Sequence, residues 1–385
     1  MIPYGKQDIN QRDIDSVIEV LKSDFLTQGP QVPAFEEKLA RYTNAKHAVA
    51  VNSATSALHV ACLALGVSEG DWVWTSPVTF VASANCALYC GAKVDFVDIE
   101  PKTYNMCPQK LEEKLKKARK DNKLPKVVIP VHLCGQPCDM TAIGKLSREY
   151  GFKVIEDASH AVGGRHENLP IGGCAHSDIT VFSFHPVKIV TTAEGGVALT
   201  NDDKLADDMA LFRSHGITRD SALMNEPSHG DWYYQQIKLG FNYRMTEIQA
   251  ALGLSQMSRL DQFVSDRHRL SRRYNKKLLG LPVVLPYQAP FSYSGMHLFV
   301  IRLRASHIEL TRKHVFELLR KKGIGVNIHY IPVHTQPYYQ ALGFHYGDFP
   351  EAESYYREAI SLPMFHGMSK DQQDIVINSL SEILQ

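Results

Sequence analysis

The hydrophobic pattern of the first 200 residues alternates between two kinds of segment. Short runs rich in β-branched residues, such as AVAV at 48–51 and KVVI at 126–129, are separated by longer segments with helical spacing, such as 140–150. The short runs indicate buried strands, and the longer segments indicate helices. Strands that alternate with helices predict a mostly parallel sheet covered by helices on both faces.

The pattern changes in the second half of the chain. Two strands follow each other closely, at DITVFSF and GGVALT, and a helical stretch then runs from Met245 to about Leu279, where Gly280 and Pro282 break it. The remainder reads as a smaller α+β unit, with strands at LFVIRL and VNIHY. The expected organisation is an N-terminal arm at 1–12, a large domain at 13–260 and a small C-terminal domain at 261–385.

Composition and charge narrow the class of protein. The 42 Lys and Arg residues balance 41 Asp and Glu residues, so the chain lacks the basic excess of a nucleic-acid-binding protein. No segment approaches the roughly 20 apolar residues of a membrane span, and the N-terminus lacks the pattern of a signal peptide. We therefore expect a cytoplasmic protein with a small-molecule partner.

Cysteine and histidine spacing points away from a disulfide framework and from a metal centre. The seven cysteines are scattered, and the 17 histidines include no HExxH motif or paired helical spacing. No metal site is expected from these spacings.

Polar residues follow the predicted strands at four places. Because ligands bind beyond the carboxyl ends of strands in open α/β sheets, these positions are the candidates for chemistry. They are NSATS at 52–56, PVTF at 77–80, DASH at 157–160 and SFHPVK at 183–188.

Together the four segments supply what pyridoxal phosphate requires. The small residues at 52–56 open a helix, whose free N–H groups suit a phosphate. Phe80 offers an aromatic plate, Asp157 a carboxylate for the pyridinium nitrogen, and Lys188 an amine for a Schiff base with the aldehyde. Each residue alone is more often structural, and their shared location at strand ends favours the functional interpretation.

The motifs also resemble those of a known family. This chain is similar to the DegT/DnrJ/EryC1/StrS group of nucleotide-sugar aminotransferases over nearly its whole length. The resemblance implies a type I PLP-dependent transferase (aspartate aminotransferase) fold, an α/β large domain with a mostly parallel seven-stranded sheet plus a smaller α+β C-terminal domain. The motifs that carry it are NSATSALH, SPVTF, EDASHAVGG, SFHPVK, TTAEGG, LFRSHG and GFNYRMTEIQAALG.

The same resemblance implies a role for each matching residue. Lys188 would be the catalytic lysine in a homodimer with shared active sites, His160 would lie near the cofactor's phenolic oxygen, and Asn242 would come from the neighbouring subunit. The implied cofactor-binding residues are Ala54, Thr55, Phe80, Asp157, His160, Ser183, Lys188 and Asn242. The implied substrate-binding residues are Tyr4, Asp24, Phe25, Leu26, Thr27, Ile328, His329, Tyr330 and Ile331.

Within this group, DFLTQG, TTAEGG and IHYIPVH are most similar to the branch that acts in pseudaminic acid synthesis. That similarity implies transfer of an amino group from L-glutamate to C4 of a UDP-linked 4-keto-6-deoxy-N-acetylhexosamine. Two positions depart from the family pattern: Ala193 stands where many relatives have glycine, and Phe80 where some have tryptophan.

Other functions remain open from sequence. An aminotransferase of the same group could act on another 4-keto sugar linked to TDP, GDP or UDP. A dehydratase of the group would carry histidine in place of Lys188. The alternating pattern alone would also allow a nicotinamide-dependent dehydrogenase, although no GxGxxG follows the first strand, or an inactive binding protein on the same fold.

Overall fold

The computed structural model describes residues 1–304, 307 and 309–384. The described helices are α1 Gln11–Leu21, α2 Gln31–Thr43, α3 Ala54–Ala64, α4 Ala82–Tyr89, α5 Pro108–Lys120, α6 Met140–Tyr150, α7 Asp203–Arg213, α8 Glu247–Met257, α9 Leu260–Lys277, α10 Arg312–Lys321, α11 Pro337–Gln340, α12 Pro350–Glu358 and α13 Lys370–Leu384.

The described strands are β1 His47–Val51, β2 Trp72–Thr75, β3 Lys93–Phe96, β4 Val127–Ile129, β5 Lys153–Asp157, β6 Arg165–His166, β7 Leu169–Pro170, β8 Ile179–Ser183, β9 Gly196–Thr200, β10 Ile217–Thr218, β11 Gln235–Gln236, β12 Val283–Val284, β13 Ser292–Tyr293, β14 Phe299–Leu303 and β15 Ala359–Leu362. No helix among the described residues is long and apolar enough to cross a membrane.

A seven-stranded sheet forms the centre of the large domain, in the order β1-β9-β8-β5-β4-β2-β3. The pairs from β8 to β3 are parallel, whereas β9 is antiparallel to both β8 and β1. The twelve residues between β8 and β9 form a loop without a helix, and β9 returns antiparallel to β8. The prediction of a mostly parallel seven-stranded sheet is confirmed.

This topology brings the chemical segments to one edge of the sheet. The carboxyl ends of β1, β2, β5 and β8 point the same way, and β9 begins at that edge. The start of α3 lies there too, because Gly196 of β9 has no side chain. A Cβ at Gly196 would come within 2.5 Å of the Ala54 amide nitrogen, so any larger residue would push α3 away from the sheet.

The helical stretch expected from Met245 to Leu279 is two helices, α8 and α9, separated at Ser258 and Arg259. The Ser258 hydroxyl donates to the Ser255 carbonyl oxygen at 2.6 Å, and Arg259 leaves helical geometry. The Arg259 guanidinium also binds the buried carboxylate of Asp13 at 2.6 Å. The break therefore coincides with a local hydrogen bond and a long-range ion pair, neither of which the hydrophobic pattern shows.

The smaller C-terminal unit contains the antiparallel sheet β12-β14-β15 with α10 and α13 against it. Helix α9 packs against two cores: Phe263 joins the large-domain core, and Tyr274 joins the small-domain core. A helix shared in this way does not place a boundary, so the division at 260/261 stays a prediction.

The first residues of the chain pack against the C-terminal unit. The Ile2 amide donates to the Gly323 carbonyl oxygen at 2.8 Å, and the Met364 amide donates to the Tyr4 carbonyl oxygen at 3.0 Å. These bonds bring the Tyr4 side chain to the edge of the sheet where the chemical segments meet.

Candidate active site

A cavity of about 700 Å³ lies at this edge of the seven-stranded sheet. Its walls come from strand ends, from the start of α3, from the N-terminal segment and from the C-terminal unit. The residues expected from sequence that line it are Tyr4, Ala54, Thr55, Phe80, Asp157, His160, Ser183, Lys188, Ile328, His329 and Tyr330.

Lys188 enters the cavity from the loop after β8. Its backbone amide donates to the His185 carbonyl oxygen at 2.9 Å, and the neighbouring Ile189 and Val190 are buried in the core. The side-chain amine has no hydrogen bond or ion pair among the residues that the structure describes. Burial lowers the pKa of Lys188 from 10.5 to about 8, although the negative charge of Asp157 opposes that shift. A substantial fraction of the amine is therefore neutral, and nucleophilic, near pH 8.

Asp157 ends β5 and is 5% exposed. One carboxylate oxygen accepts from the Ser159 hydroxyl at 2.6 Å and from the Ser159 amide at 3.1 Å. The other accepts from the Ser83 hydroxyl at 2.5 Å. Only neutral donors fix this carboxylate, which has no ion-pair partner within the described part of the chain. A protonated ring nitrogen would supply the missing positive charge, so the group fits pyridoxal phosphate.

The start of α3 fits the cofactor's phosphate. The Ser53 side chain caps the helix by accepting from the Ser56 amide at 3.1 Å. The amides of Ala54 and Thr55 have no acceptor among the residues described, and the Ser183 hydroxyl lines the same cavity without a partner there. Two free amides at the positive end of a helix dipole, with a hydroxyl beside them, suit a phosphate dianion.

His160 and Tyr330 form an uncharged pair beside Lys188. The Nδ1 atom of His160 accepts from the Cys134 amide at 3.2 Å, so its Nε2 carries the proton and donates to the Tyr330 hydroxyl oxygen at 3.1 Å. Burial, with the Lys188 charge nearby, holds the pKa of His160 well below 6.5. Burial also raises the pKa of Tyr330, so both groups are neutral at physiological pH.

Four residues to which the sequence assigned no role belong to this site. Thr79 lines the cavity and its hydroxyl lies 2.7 Å from that of Ser83, which links it to Asp157. His297 lies beside His160 with ring centroids 4.5 Å apart, and Asn327 lines the cavity near His329. In the sequence SPVTFVAS, the four-residue spacing of Thr79 and Ser83 indicates that their hydroxyls could meet on one helical turn. No sequence pattern indicates a role for His297 or Asn327.

Five other residues expected to bind substrate do not line the cavity of this chain. The segment of Asp24, Phe25, Leu26 and Thr27 is exposed, and so is Ile331. The Leu26 carbonyl oxygen accepts from the amide of Glu247 at the start of α8. The contribution of these residues to substrate binding stays a prediction.

Asn242 is exposed and does not line the cavity of its own chain. Its carbonyl oxygen accepts from the Asn52 side chain at 3.4 Å, which places the Asn242 backbone just outside the start of α3. Its expected role toward a neighbouring subunit stays a prediction.

The chain matches known sugar aminotransferases over its whole length. Residues 7–381 match the DegT/DnrJ/EryC1/StrS aminotransferase family. The chain is 38% identical to the spore coat polysaccharide biosynthesis protein SpsC of Bacillus subtilis, over 100% of this chain and 97% of that one. It is 36% identical to the UDP-4-amino-4,6-dideoxy-N-acetyl-beta-L-altrosamine transaminase of Campylobacter jejuni, over 100% and 98%.

Solved structures of sugar aminotransferases have the same fold as this chain. The Helicobacter pylori aminotransferase PseC, involved in pseudoaminic acid biosynthesis, superposes with a TM-score of 0.90 at 30% identity, over 100% of this chain and 99% of that one. The putative sugar aminotransferase Spr1654 of Streptococcus pneumoniae, in its PMP form, gives 0.90 at 29% identity over the same shares. The dehydrogenase and inactive-protein alternatives are therefore wrong. The chain belongs to the DegT/DnrJ/EryC1/StrS aminotransferase family and is a pyridoxal-phosphate-dependent sugar aminotransferase.

Proposed function

We propose that this aminotransferase transfers the amino group of L-glutamate to C4 of a UDP-linked 4-keto-6-deoxy-N-acetylhexosamine. The product would be UDP-4-amino-4,6-dideoxy-N-acetyl-β-L-altrosamine, a precursor of pseudaminic acid. The observation that carries this proposal is the full-length similarity to the Campylobacter jejuni transaminase named for that product. The chemistry of the cavity walls is consistent with a sugar substrate.

The catalytic roles follow from the groups that surround Lys188. When bound, pyridoxal phosphate supplies an aldehyde that takes up amines and a protonated ring that accepts electrons from the substrate carbon. The Lys188 amine, kept partly neutral by burial, can remove a proton from one carbon and return it to another. Asp157 would hold the ring nitrogen protonated, while the Ala54 and Thr55 amides would hold the phosphate.

The part of the cavity wall that the N-terminal segment and the C-terminal unit supply is uncharged. Tyr4 and His329 face each other with ring centroids 5.3 Å apart, and Asn327 lies beside them. Burial, with Lys188 nearby, lowers the pKa of His329 to about 3, so the imidazole is neutral. Neutral hydrogen-bonding groups of this kind suit the hydroxyl, keto and acetamido groups of a sugar.

A homodimer with shared active sites forms part of the proposal. Helix α1 exposes Ile14, Ile18 and Leu21, and the exposed Phe25 and Leu26 follow them in sequence. Ile14, Ile18 and Leu21 are spaced to share one face of α1, and an exposed apolar helix face is typical of a protein–protein interface. Burial against a second copy would cover this face and would bring exposed residues of the partner to each cavity.

The test is a substrate panel with L-glutamate as donor and UDP-, TDP- and GDP-linked 4-keto sugars as acceptors. We expect the highest kcat/KM for the UDP-linked 4-keto-6-deoxy-N-acetylhexosamine of the β-L-arabino configuration, with Lys188→Ala as the inactive control. The similarity to SpsC, a polysaccharide biosynthesis protein, favours a second candidate, which is another 4-keto sugar nucleotide. A higher kcat/KM for a TDP, GDP or D-configured sugar would contradict the first candidate and support the second.

A further inference from the structure

A second cluster of chemically active side chains lies away from the cavity, at the hairpin of β6 and β7. His166 ends β6, Glu167 begins the turn, and His176 belongs to the segment that leads into β8. One donor atom from each of these three side chains lies within 4.8 Å of the others. None of the three lines the active-site cavity.

His166 has an unusual environment within this cluster. It is 4% exposed, and neither ring nitrogen has a hydrogen-bond partner within the described part of the chain. The rings of Phe291 and His176 pack against it, at centroid distances of 5.1 Å and 5.7 Å. Buried polar atoms are nearly always satisfied, and an unpaired one is costly. A ligand that binds an imidazole nitrogen would remove that cost.

We propose that His166, Glu167 and His176 bind one divalent transition-metal ion, with zinc as the best match. Two imidazoles and one carboxylate are a recurrent zinc ligand set, and they leave the fourth tetrahedral position for water. Zinc–ligand bonds of about 2.0–2.1 Å place tetrahedral ligand atoms about 3.4 Å apart, so donor atoms that lie within 4.8 Å of one another must approach by at most about 1.4 Å. Glu167 is exposed on the hairpin turn and has room to make that movement.

A further residue already orients the carboxylate. The Thr141 hydroxyl, at the start of α6, donates to a carboxylate oxygen of Glu167 at 3.1 Å. Hydrogen bonds of this kind to a metal ligand fix its orientation and strengthen metal binding. The ion would join the hairpin to the segment before β8, and an ion that binds only the folded chain raises its stability.

Sequence spacing does not reveal such a site. His166 and His176 are separated by nine residues and lie on different segments, which the hairpin and the start of β8 bring together. The proposal therefore departs from the expectation, drawn from histidine and cysteine spacing, that the protein has no metal site.

The test uses tag-free holoenzyme that has been treated with a chelator and then titrated with zinc alone. We expect one zinc per chain to remain after gel filtration, measured by elemental analysis, and a higher melting temperature with zinc. Glu167→Gln and His176→Gln should each weaken zinc binding at least about 100-fold, and Thr141→Val about tenfold, in calorimetric titration. His345→Gln, which changes an exposed histidine elsewhere, is the matched control and should bind zinc like the wild type.

Cofactor absorbance, measured in each variant, checks that the protein remains folded. Two results would overturn the proposal. One is the absence of stoichiometric zinc in the wild type. The other is unchanged zinc affinity in the double variant Glu167→Gln/His176→Gln, which would place any bound zinc at other residues.

Discussion

Lys188 illustrates at the scale of one residue how surroundings create reactivity. An ordinary lysine is almost fully protonated at pH 8, whereas burial brings the pKa of Lys188 to about 8. The neighbouring Asp157 limits this effect, since its negative charge favours the protonated amine. The position therefore balances two requirements, a neutral amine for attack and a carboxylate near enough to serve the cofactor ring.

This balance predicts the pH dependence of cofactor attachment. After removal of pyridoxal phosphate, the rate at which added cofactor attaches covalently should rise with pH and level off above a midpoint of about 8, because only the neutral amine attacks. Rapid-mixing absorbance of the visible cofactor band measures this rate. In Asp157→Asn the midpoint should move down, since the charge that raises the pKa is gone. A wild-type midpoint near 10.5, the ordinary value, would contradict the structure.

Substitutions of Asp157 and Ser83 are expected to lower turnover by different amounts. Asp157→Asn keeps the shape but removes the charge, so turnover should fall about 100-fold or more while cofactor stays bound. Ser83→Ala removes one hydrogen bond to the carboxylate and leaves both bonds from Ser159, so turnover should fall about tenfold or less. Steady-state kinetics and cofactor stoichiometry measure both effects. Near wild-type turnover in Asp157→Asn would show that Asp157 does not hold the cofactor's ring nitrogen protonated.

At the scale of elements, the loop between β8 and β9 explains one departure from the family pattern. Ala193 has a φ of 64°, a left-handed conformation that glycine adopts without steric cost. The Ala193 amide also donates to the Thr191 hydroxyl at 3.0 Å, which holds the turn in this form. The glycine that the family resemblance implies at this position would adopt this conformation more easily than the alanine that stands here.

This conformation predicts that Ala193→Gly stabilises the protein. Relief of the left-handed strain, about 1–2 kcal/mol, exceeds the entropy that glycine loses on folding, about 0.5–1 kcal/mol. The expected net gain is about 0.5–1 kcal/mol in the free energy of unfolding, which denaturant titration measures. Gly196→Ala is the contrasting variant and should destabilise, because its Cβ would meet the Ala54 amide nitrogen at 2.5 Å. A loss of stability in Ala193→Gly would show that the left-handed turn carries no strain.

At the scale of the whole molecule, the proposed dimer predicts complementation between inactive variants. Lys188→Ala removes the catalytic amine, and Asn242→Asp would place a negative charge against the phosphate of the neighbouring site. If sites are shared, a mixed dimer has one site with both lesions and one with neither. Mixing the two variants should therefore restore activity, to about a quarter of the wild-type value when subunits exchange at random.

Subunit exchange is verified with differently tagged chains, and each parent variant is assayed alone as the control. Absence of recovery despite exchange would place Asn242 in the site of its own subunit. Sedimentation of the wild-type protein as a monomer would contradict the dimer itself.

Much of this architecture could be predicted from the order of residues alone. Strands buried on both faces need continuous apolar runs, and the helices between them need a periodic apolar face, so the pattern determined the parallel sheet. Parallel strands place their carboxyl ends at one edge, which is why Asp157 and Lys188 could be brought together from sequence. The motif resemblance added the family and the cofactor, and the full-length match confirmed both.

Only the tertiary structure decided which distant side chains meet. Ser83 binds Asp157 from 74 residues away, and His297 lies beside His160, although neither pair shares a local pattern. The spacing of apolar residues along the chain predicts whether a residue is buried, because burial depends on the face of its own helix or strand. This spacing does not predict which side chain of another element the residue contacts, because that depends on how all the helices and strands pack together. The same reason explains why only the tertiary structure shows that the nitrogens of the buried His166 have no hydrogen-bond partner within the described part of the chain.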